Sequence, residues 1–314
     1  MAAVGNPTSA SDSPLVSVVI PTRDRRELLQ RSVESVLAQT VRDFECIVVD
    51  DGSTDGTHEW LASLDDPRVT AITLPEGGGA PHARNRGIHA ARARFVAFLD
   101  SDDEWPADYL ARMLPVFERT PRPCTVWAGV WRVEDGQRTP MVPRVRGDAF
   151  EELLQFDFRH SVISIVVDRD MAGPLLHFDE TLPAHQDFDL LLALTQQQPV
   201  ACVAEPLYIW HWHDGPRVSR SRSYARSRRM LIDKYADALA ERPATAAHHW
   251  FLLARTYRTL GDIDGVRDAI AHAATLDPTN RRVRVLAWFS RRGRRSTVFA
   301  WRVDHQIDKA LRRV

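Results

Sequence analysis

Phe95-Val96-Ala97-Phe98-Leu99-Asp100-Ser101-Asp102-Asp103-Glu104-Trp105-Pro106 runs five apolar residues straight into three acids within four positions. A continuous apolar run of this length, bounded by polar residues, predicts a strand buried on both faces of a parallel sheet. The acids then fall at its C-terminal end, where open α/β sheets place their ligands. Asp100 and Asp102 are two apart, so extended backbone aims both carboxylates to one side. Like charges that close raise each other's pKa unless a cation neutralises them. Hard cations such as Mg²⁺ or Mn²⁺ take oxygen ligands and are shared between carboxylates and phosphates. The alternative is an acidic turn in which Asp102 or Asp103 caps the following helix.

Upstream of this stretch, strand and helix signals alternate. Residues 15–20 are β-branched and end at Pro21, and 27–39 carry Leu29, Val33, Val36 and Leu37 on one helical face. Residues 44–49 form the next apolar run, 57–64 a short helix, 69–74 a third strand and 75–81 a glycine-rich loop. Residues 82–93 read as a helix with Ala83, Gly87, Ala90 and Ala91 as small residues for close packing. This rhythm predicts a mostly parallel sheet with helices on both faces.

Three strand ends therefore carry polar clusters: Pro21-Thr22-Arg23-Asp24, Asp50-Asp51-Gly52-Ser53 and Asp100-Ser101-Asp102-Asp103. In a parallel sheet they share one edge, which favours a nucleotide site over a set of unrelated turns. Asp51 offers a carboxylate to the N3–H of a uracil or thymine ring. Arg84, after the glycine loop, suits a diphosphate. The chain has no G-x-x-x-x-G-K-[ST], and Gly77-Gly78-Gly79 does not make a dinucleotide fingerprint.

The bulk numbers set bounds. The 314 residues suffice for a large domain plus an appendage, and 44% are hydrophobic. Net charge is −1, so no global field draws the protein to nucleic acid, and no nucleic-acid partner is expected. No run reaches the roughly 18 apolar residues of a membrane span. Residues 1–14 read as a disordered lead-in without signal-peptide character. Cys46, Cys124 and Cys202 are an odd, scattered set, which suggests thiols in a reducing compartment and a cytoplasmic protein.

In the second half, 124–133 is strand-like with Trp127 and Trp131 on one face. Residues 136–147 read as a loop, 150–156 as a helix and 161–167 as a strand. Gln186-Asp187-Phe188-Asp189-Leu190 opens an apolar helix, where Asp187 is either an N-terminal cap or a functional acid. Tyr208-Ile209-Trp210-His211-Trp212-His213-Asp214 closes this part. From 223 on strand signals vanish. Trp250, Leu253, Ala254, Tyr257, Gly261, Ile270, Ala273 and Pro278 have the spacing of one tetratricopeptide-like helix pair. The final stretch, 291–314, is basic, with Phe299, Val303, Ile307, Leu311 and Val314 as an apolar stripe. It reads as a bundle-capping helix or as one that meets an anionic membrane.

The order and spacing of Val18-Val19-Ile20-Pro21-Thr22, Ser35-Val36-Leu37-Ala38-Gln39-Thr40, Phe44 to Thr57, Ala83-Arg84-Asn85-Arg86-Gly87 and Phe98 to Asp103 resemble the family-2 glycosyltransferases of the GT-A fold. The resemblance implies a GT-A-like α/β domain over 15–220, followed by a tetratricopeptide-like helical region over 221–314. It implies an inverting enzyme that moves a sugar from a UDP or dTDP donor to a saccharide, lipid-linked or other hydroxyl acceptor, with Mn²⁺ or Mg²⁺ as cofactor. Pro21, Thr22, Arg23, Asp51, Arg84, Asp100 and Ser101 fall at its nucleotide-binding positions. Asp102 and Asp100, with His213 from the late segment, fall at its metal positions. Asp187 matches the second member of its acidic pair, the catalytic base, and Gln186 replaces the first. Arg23-Asp24 stands where the family often has an aromatic followed by Asn. These two departures leave a non-catalytic sugar-nucleotide fold with a helical docking module as the alternative. On either reading the C-terminal helices offer a surface to a protein partner or to a membrane, the latter making the chain peripheral at its inner face.

Overall fold

The computed structural model describes residues 13–143, 145, 148–155, 164–212 and 221–311, with side chains to 304. Its contacts divide into two units. Among these residues the first comprises 13–153, 164–180 and 187–212, and the second 154–155, 181–186 and 221–311.

The first unit begins as the sequence predicts: β1 (Val16–Thr22), α1 (Arg26–Leu37), β2 (Phe44–Asp50), α2 (Thr57–Ala62), β3 (Val69–Thr73), α3 (Ala80–Ala90) and β4 (Phe95–Phe98). It continues through α4 (Tyr109–Met113), β5 (Thr125–Glu134), β6 (Gln137–Met141), α5 (Ala149–Gln155, its last two residues counted with the second unit), β7 (Ile165–Asp168), α6 (Arg169–Ala172), α7 (Gln186–Gln197, its first residue likewise) and β8 (Val200–His211). The sheet order is β3-β2-β1-β4-β7-β5-β6, with β8 along the other side of β5. Strands β1 to β4 are mutually parallel, while β7 runs antiparallel to β4 and to β5. Every residue of β1, β2 and β4 is buried, which is why these strands read as unbroken Val/Ile/Phe runs.

Packing between helix and sheet is close. A Cβ on Gly87 of α3 would stand 2.3 Å from Val19 Cγ1 of β1, so only glycine lets the helix lie this near the strand. The expected loop at 136–147 is partly sheet. Asp135 and Gly136, both at positive φ, turn β5 into β6 as a hairpin, and Pro140 sits on that edge strand. Asp-Gly is the pair such a turn requires. β8 begins at Val200, eight residues before the apolar signal, because its first half is only partly buried and carries no periodic cue.

The second unit is helical: α8 (Arg222–Lys234), α9 (Ala236–Ala240), α10 (Pro243–Thr259), α11 (Ile263–Leu276), α12 (Arg281–Ser290) and α13 (Arg294–Leu311). α10 and α11 pair through Trp250, Leu253, Ala254, Val266, Ala269, Ile270 and Ala273, all buried. Ser221, Asp262 and Asn280 cap α8, α11 and α12 by accepting backbone N–H groups. The segments at 154–155 and 181–186 are tied into this unit by His249 Nε2 against Leu154 O, 2.7 Å, and by Ser227 Oγ donating to Ala184 O.

Candidate active site

The parallel register brings three strand ends together. Thr22 pairs with Asp50 across β1 and β2, and Val19 with Phe98 across β1 and β4. Asp51 N donates to Thr22 O at 2.9 Å and Leu99 N to Val19 O at 3.1 Å, so the ladder carries on into the polar residues. The rim formed by Pro21–Asp24, Asp50–Ser53 and Asp100–Asp103 is thus one edge of one sheet.

On its β1–β2 side, both oxygens of Asp51 are engaged. Oδ1 accepts Gly78 N and Oδ2 accepts Gly79 N, each at 2.8 Å. Asp51 therefore holds the glycine loop, and each oxygen keeps lone-pair capacity for a further donor. Gly52, at φ +79, turns the chain away at once, a conformation that favours glycine. Arg23 stands over this group, its Nη1 3.9 Å from Asp51 Oδ2. Asp24, at φ +50, knits the two loops: its N donates to Ser53 Oγ and its Oδ1 accepts Thr54 N. Thr22 is buried, and its Oγ1 has no hydrogen-bond partner among the described residues. Pro21 and Ser101, also of this rim, are buried.

The acids after β4 form a cluster. Asp100, Asp102 and Asp103 each bring a carboxylate oxygen within 4.8 Å of the others. Neither Asp102 nor Asp103 caps a helix, since the next one begins at Tyr109 behind Asp108. Asp103 is buried, accepting Tyr208 Oη–H at 2.7 Å and His211 N at 2.9 Å. Burial, with Asp100 and Asp102 beside it, pushes its carboxyl up to about 8. Two arginines offset the other acids: Arg84 Nη2 donates to Asp100 Oδ1 and Arg25 Nη1 to Asp102 Oδ2, each at 2.7 Å. The donor set is all carboxylate oxygen, and such a set suits a hard divalent cation.

Asp187 lies in the first turn of α7, half-buried, with its Oδ1 accepting Phe188 N at 2.9 Å. Burial pushes its carboxyl up against the pull of the Phe188 N–H and of the Arg84 charge, and the Asp100 charge pushes it further. Asp187 therefore stands within electrostatic reach of the groups at the rim. Arg84 ties the two: its guanidinium is on Asp100 and lies 5.3 Å from the centre of the Phe178 ring. Asn85 pins the segment leading towards α7, donating to Phe178 O and Glu180 Oε1 and accepting Phe178 N. His213 lies outside the described residues. Its neighbour His211 turns to Glu104, Nε2 to Oε1, 2.7 Å.

Several members of the site carry no signal in the sequence. Arg25 and Arg31 look like solvated helix-start residues, yet Arg25 meets Asp102 and Arg31 Nη2 donates to the Asp102 carbonyl. Tyr208 reads as core. Only the pairing of β8 beside β5 and the Glu104–Ile209 bridge bring it to Asp103. The Ser35–Thr40 motif was legible as a motif but not as to its task. Ser32 Oγ donates to Asp103 O, Ser35 Oγ accepts Trp105 N, and Gln39 brackets Pro106 O and Leu110 N. α1 and the turn just past its end thus clamp the acidic loop.

An α/β sheet with an acid-lined rim at its parallel strand ends and a helical unit after it has the GT-A architecture. Residues 17–168 match the model of Glycosyl transferase family 2. The succinoglycan biosynthesis protein ExoO of Rhizobium meliloti is 30% identical over 275 residues, 81% of this chain and 79% of that protein. The putative teichuronic acid biosynthesis glycosyltransferase TuaG of Bacillus subtilis is 34% identical over 169 residues, 52% of this chain and 65% of TuaG, just under two thirds of its length. In fold, the crystal structure of S. aureus TarS 1-349 in complex with UDP-GlcNAc superposes with a TM-score of 0.69 at 16% identity, covering 94% of this chain and 92% of that one. The chain belongs to the family-2 glycosyltransferases.

Proposed function

We propose that the protein transfers a glycosyl unit from a UDP- or dTDP-sugar to an acceptor hydroxyl, with inversion, in the synthesis of a polysaccharide, glycolipid or glycoconjugate. The observation that carries this reading is the convergence of Asp51, Asp100, Asp102 and Asp103 on one rim beside Arg84, with Asp187 coupled electrostatically to Arg84 and Asp100. The names of TuaG and ExoO, both in bacterial polysaccharide synthesis, support a saccharide or lipid-linked acceptor.

Asp51 and Thr22 receive the base, and Arg23 lays its guanidinium plane along the ring. Asp100 and Ser101 meet the ribose and diphosphate. Asp102 and Asp100 would hold Mn²⁺ or Mg²⁺, which would supply positive charge to the leaving diphosphate. Asp187 takes the proton of the acceptor hydroxyl as its oxygen bonds to the anomeric carbon and the bond to the diphosphate breaks. Its upward-shifted carboxyl makes it a better base than an ordinary aspartate.

A panel of nucleotide sugars with each metal, read by donor consumption and by the anomeric configuration of the product in NMR, tests this. The expected result is turnover of a uridine or thymidine donor and an inverted product. Asp187→Asn lowers kcat by roughly 10³-fold with donor Kd nearly unchanged. A retained configuration, or donor affinity lost with Asp187, contradicts the assignment.

A further inference from the structure

Six large hydrophobic side chains are exposed among the described residues, and four of them lie on α12 and α13: Val285, Trp288, Phe299 and Val303. They are clustered. Trp288 packs edge-on to Phe289 with ring centres 4.8 Å apart, and Phe289 meets Phe299 at 6.1 Å. Val285 is one helical turn from Trp288, and Val303 one turn from Phe299. Trp288 is 50% and Phe299 59% exposed, values far from those of a packed bundle face.

The surroundings are basic. Residues 281–304 hold eight arginines against a single acid, Asp304, and Arg282 neutralises that acid through two hydrogen bonds of 2.6 and 2.8 Å. Arg292 stacks on the Trp288 ring. Beside it Arg281, Arg284 and Arg291 line a cleft of about 730 Å³ together with Val285 and Trp288. None of these three arginines makes an ion pair among the described residues. The sequence points to 291–314 as the candidate basic helix; half of the exposed apolar face lies upstream of it, on α12.

We propose that this face of α12 and α13 docks on an anionic phospholipid bilayer. Tryptophan and phenylalanine would enter the headgroup layer, and the arginines would lie along the phosphates. A second copy of the chain fits poorly, because a self-complementary contact brings two arginine sets together.

The test is flotation of the full chain with phosphatidylcholine vesicles, with and without roughly 30% phosphatidylglycerol. Binding is expected to anionic vesicles at least ~10-fold above neutral ones, and to weaken as salt shortens the Debye length. Trp288→Ser with Phe299→Ser, and separately Arg284→Glu with Arg291→Glu, each lower it about tenfold. Both variants keep wild-type donor turnover and circular dichroism, since these side chains are exposed. Three outcomes overturn the proposal: no binding by the wild type, equal binding to neutral vesicles, or binding unaffected in both variants. A concentration-dependent dimer that Trp288→Ser dissolves also overturns it and assigns the face to a second copy.

Discussion

At the scale of single residues, the site is built from carboxylates whose surroundings differ. Asp51 is a backbone organiser: its two oxygens hold the N–H groups of Gly78 and Gly79. A charged acceptor of this kind contributes about 1.5–3 kcal/mol per hydrogen bond. Asp51→Ala should therefore loosen the glycine loop and cost UDP affinity at least ~30-fold. Calorimetric titration of UDP checks this, and an unchanged Kd would remove Asp51 from the base site. Asp187 differs because burial and the Asp100 charge lift its pKa. Both aspartates were visible as candidates in the sequence because they sit at element ends. Their surroundings were not, because Gly78 comes to Asp51 through the glycine loop and the Arg84 charge acts on Asp187 from α3, and no local pattern encodes either approach.

Among elements, α1 does more than cover the sheet. Ser32 and Ser35 of α1, with Gln39 just past its end, hold residues 100–110 in place. Gln39 is fully buried, donating to Ser35 O and Pro106 O and accepting Leu110 N. Gln39→Ala strands Leu110 N and takes one of two donors from Pro106 O, which keeps Tyr109 N, at a cost of about 1–3 kcal/mol. Urea denaturation should show that loss, together with weaker metal-dependent donor binding. The strand–helix alternation from β1 to β4 was readable because each element has one uniform environment: wholly buried strands and one-sided helices. After β4 the periodic pattern in the sequence thins. β6 carries Pro140 and exposed polar residues, and β8 is half-buried, so neither shows a period. The Asp135-Gly136 turn was the missed signal; it marks a hairpin where a loop was expected.

Taken whole, the chain has two units whose sequences interleave, and the small segment 181–186 belongs with the helices. His185 in that segment is buried, sits at φ +60 and stacks on Tyr224 with ring centres 4.0 Å apart. Burial, with Arg228 and His249 nearby, pushes its imidazole down to about 3. The unfolded chain takes up this proton near pH 6.5 and the native one does not. Stability from His185 is thus complete above pH 6.5 and falls by about 1.4 kcal/mol per pH unit as pH drops towards 3. Denaturation curves between pH 7 and pH 4 should show this slope, and His185→Asn, tolerant of positive φ, should remove it. An identical slope in the variant would assign it to other groups.

On the proposed function, the acids after β4 and Asp51 form one site in which a cation helps hold a nucleoside diphosphate. Calorimetric titration of UDP into wild-type protein and Asp102→Asn, with and without Mn²⁺, tests it most directly. Mn²⁺ should tighten UDP binding to the wild type at least ~10-fold and do nothing for the variant. Equal UDP affinity in all four titrations, or Mn²⁺ enhancement that survives Asp102→Asn, would contradict it.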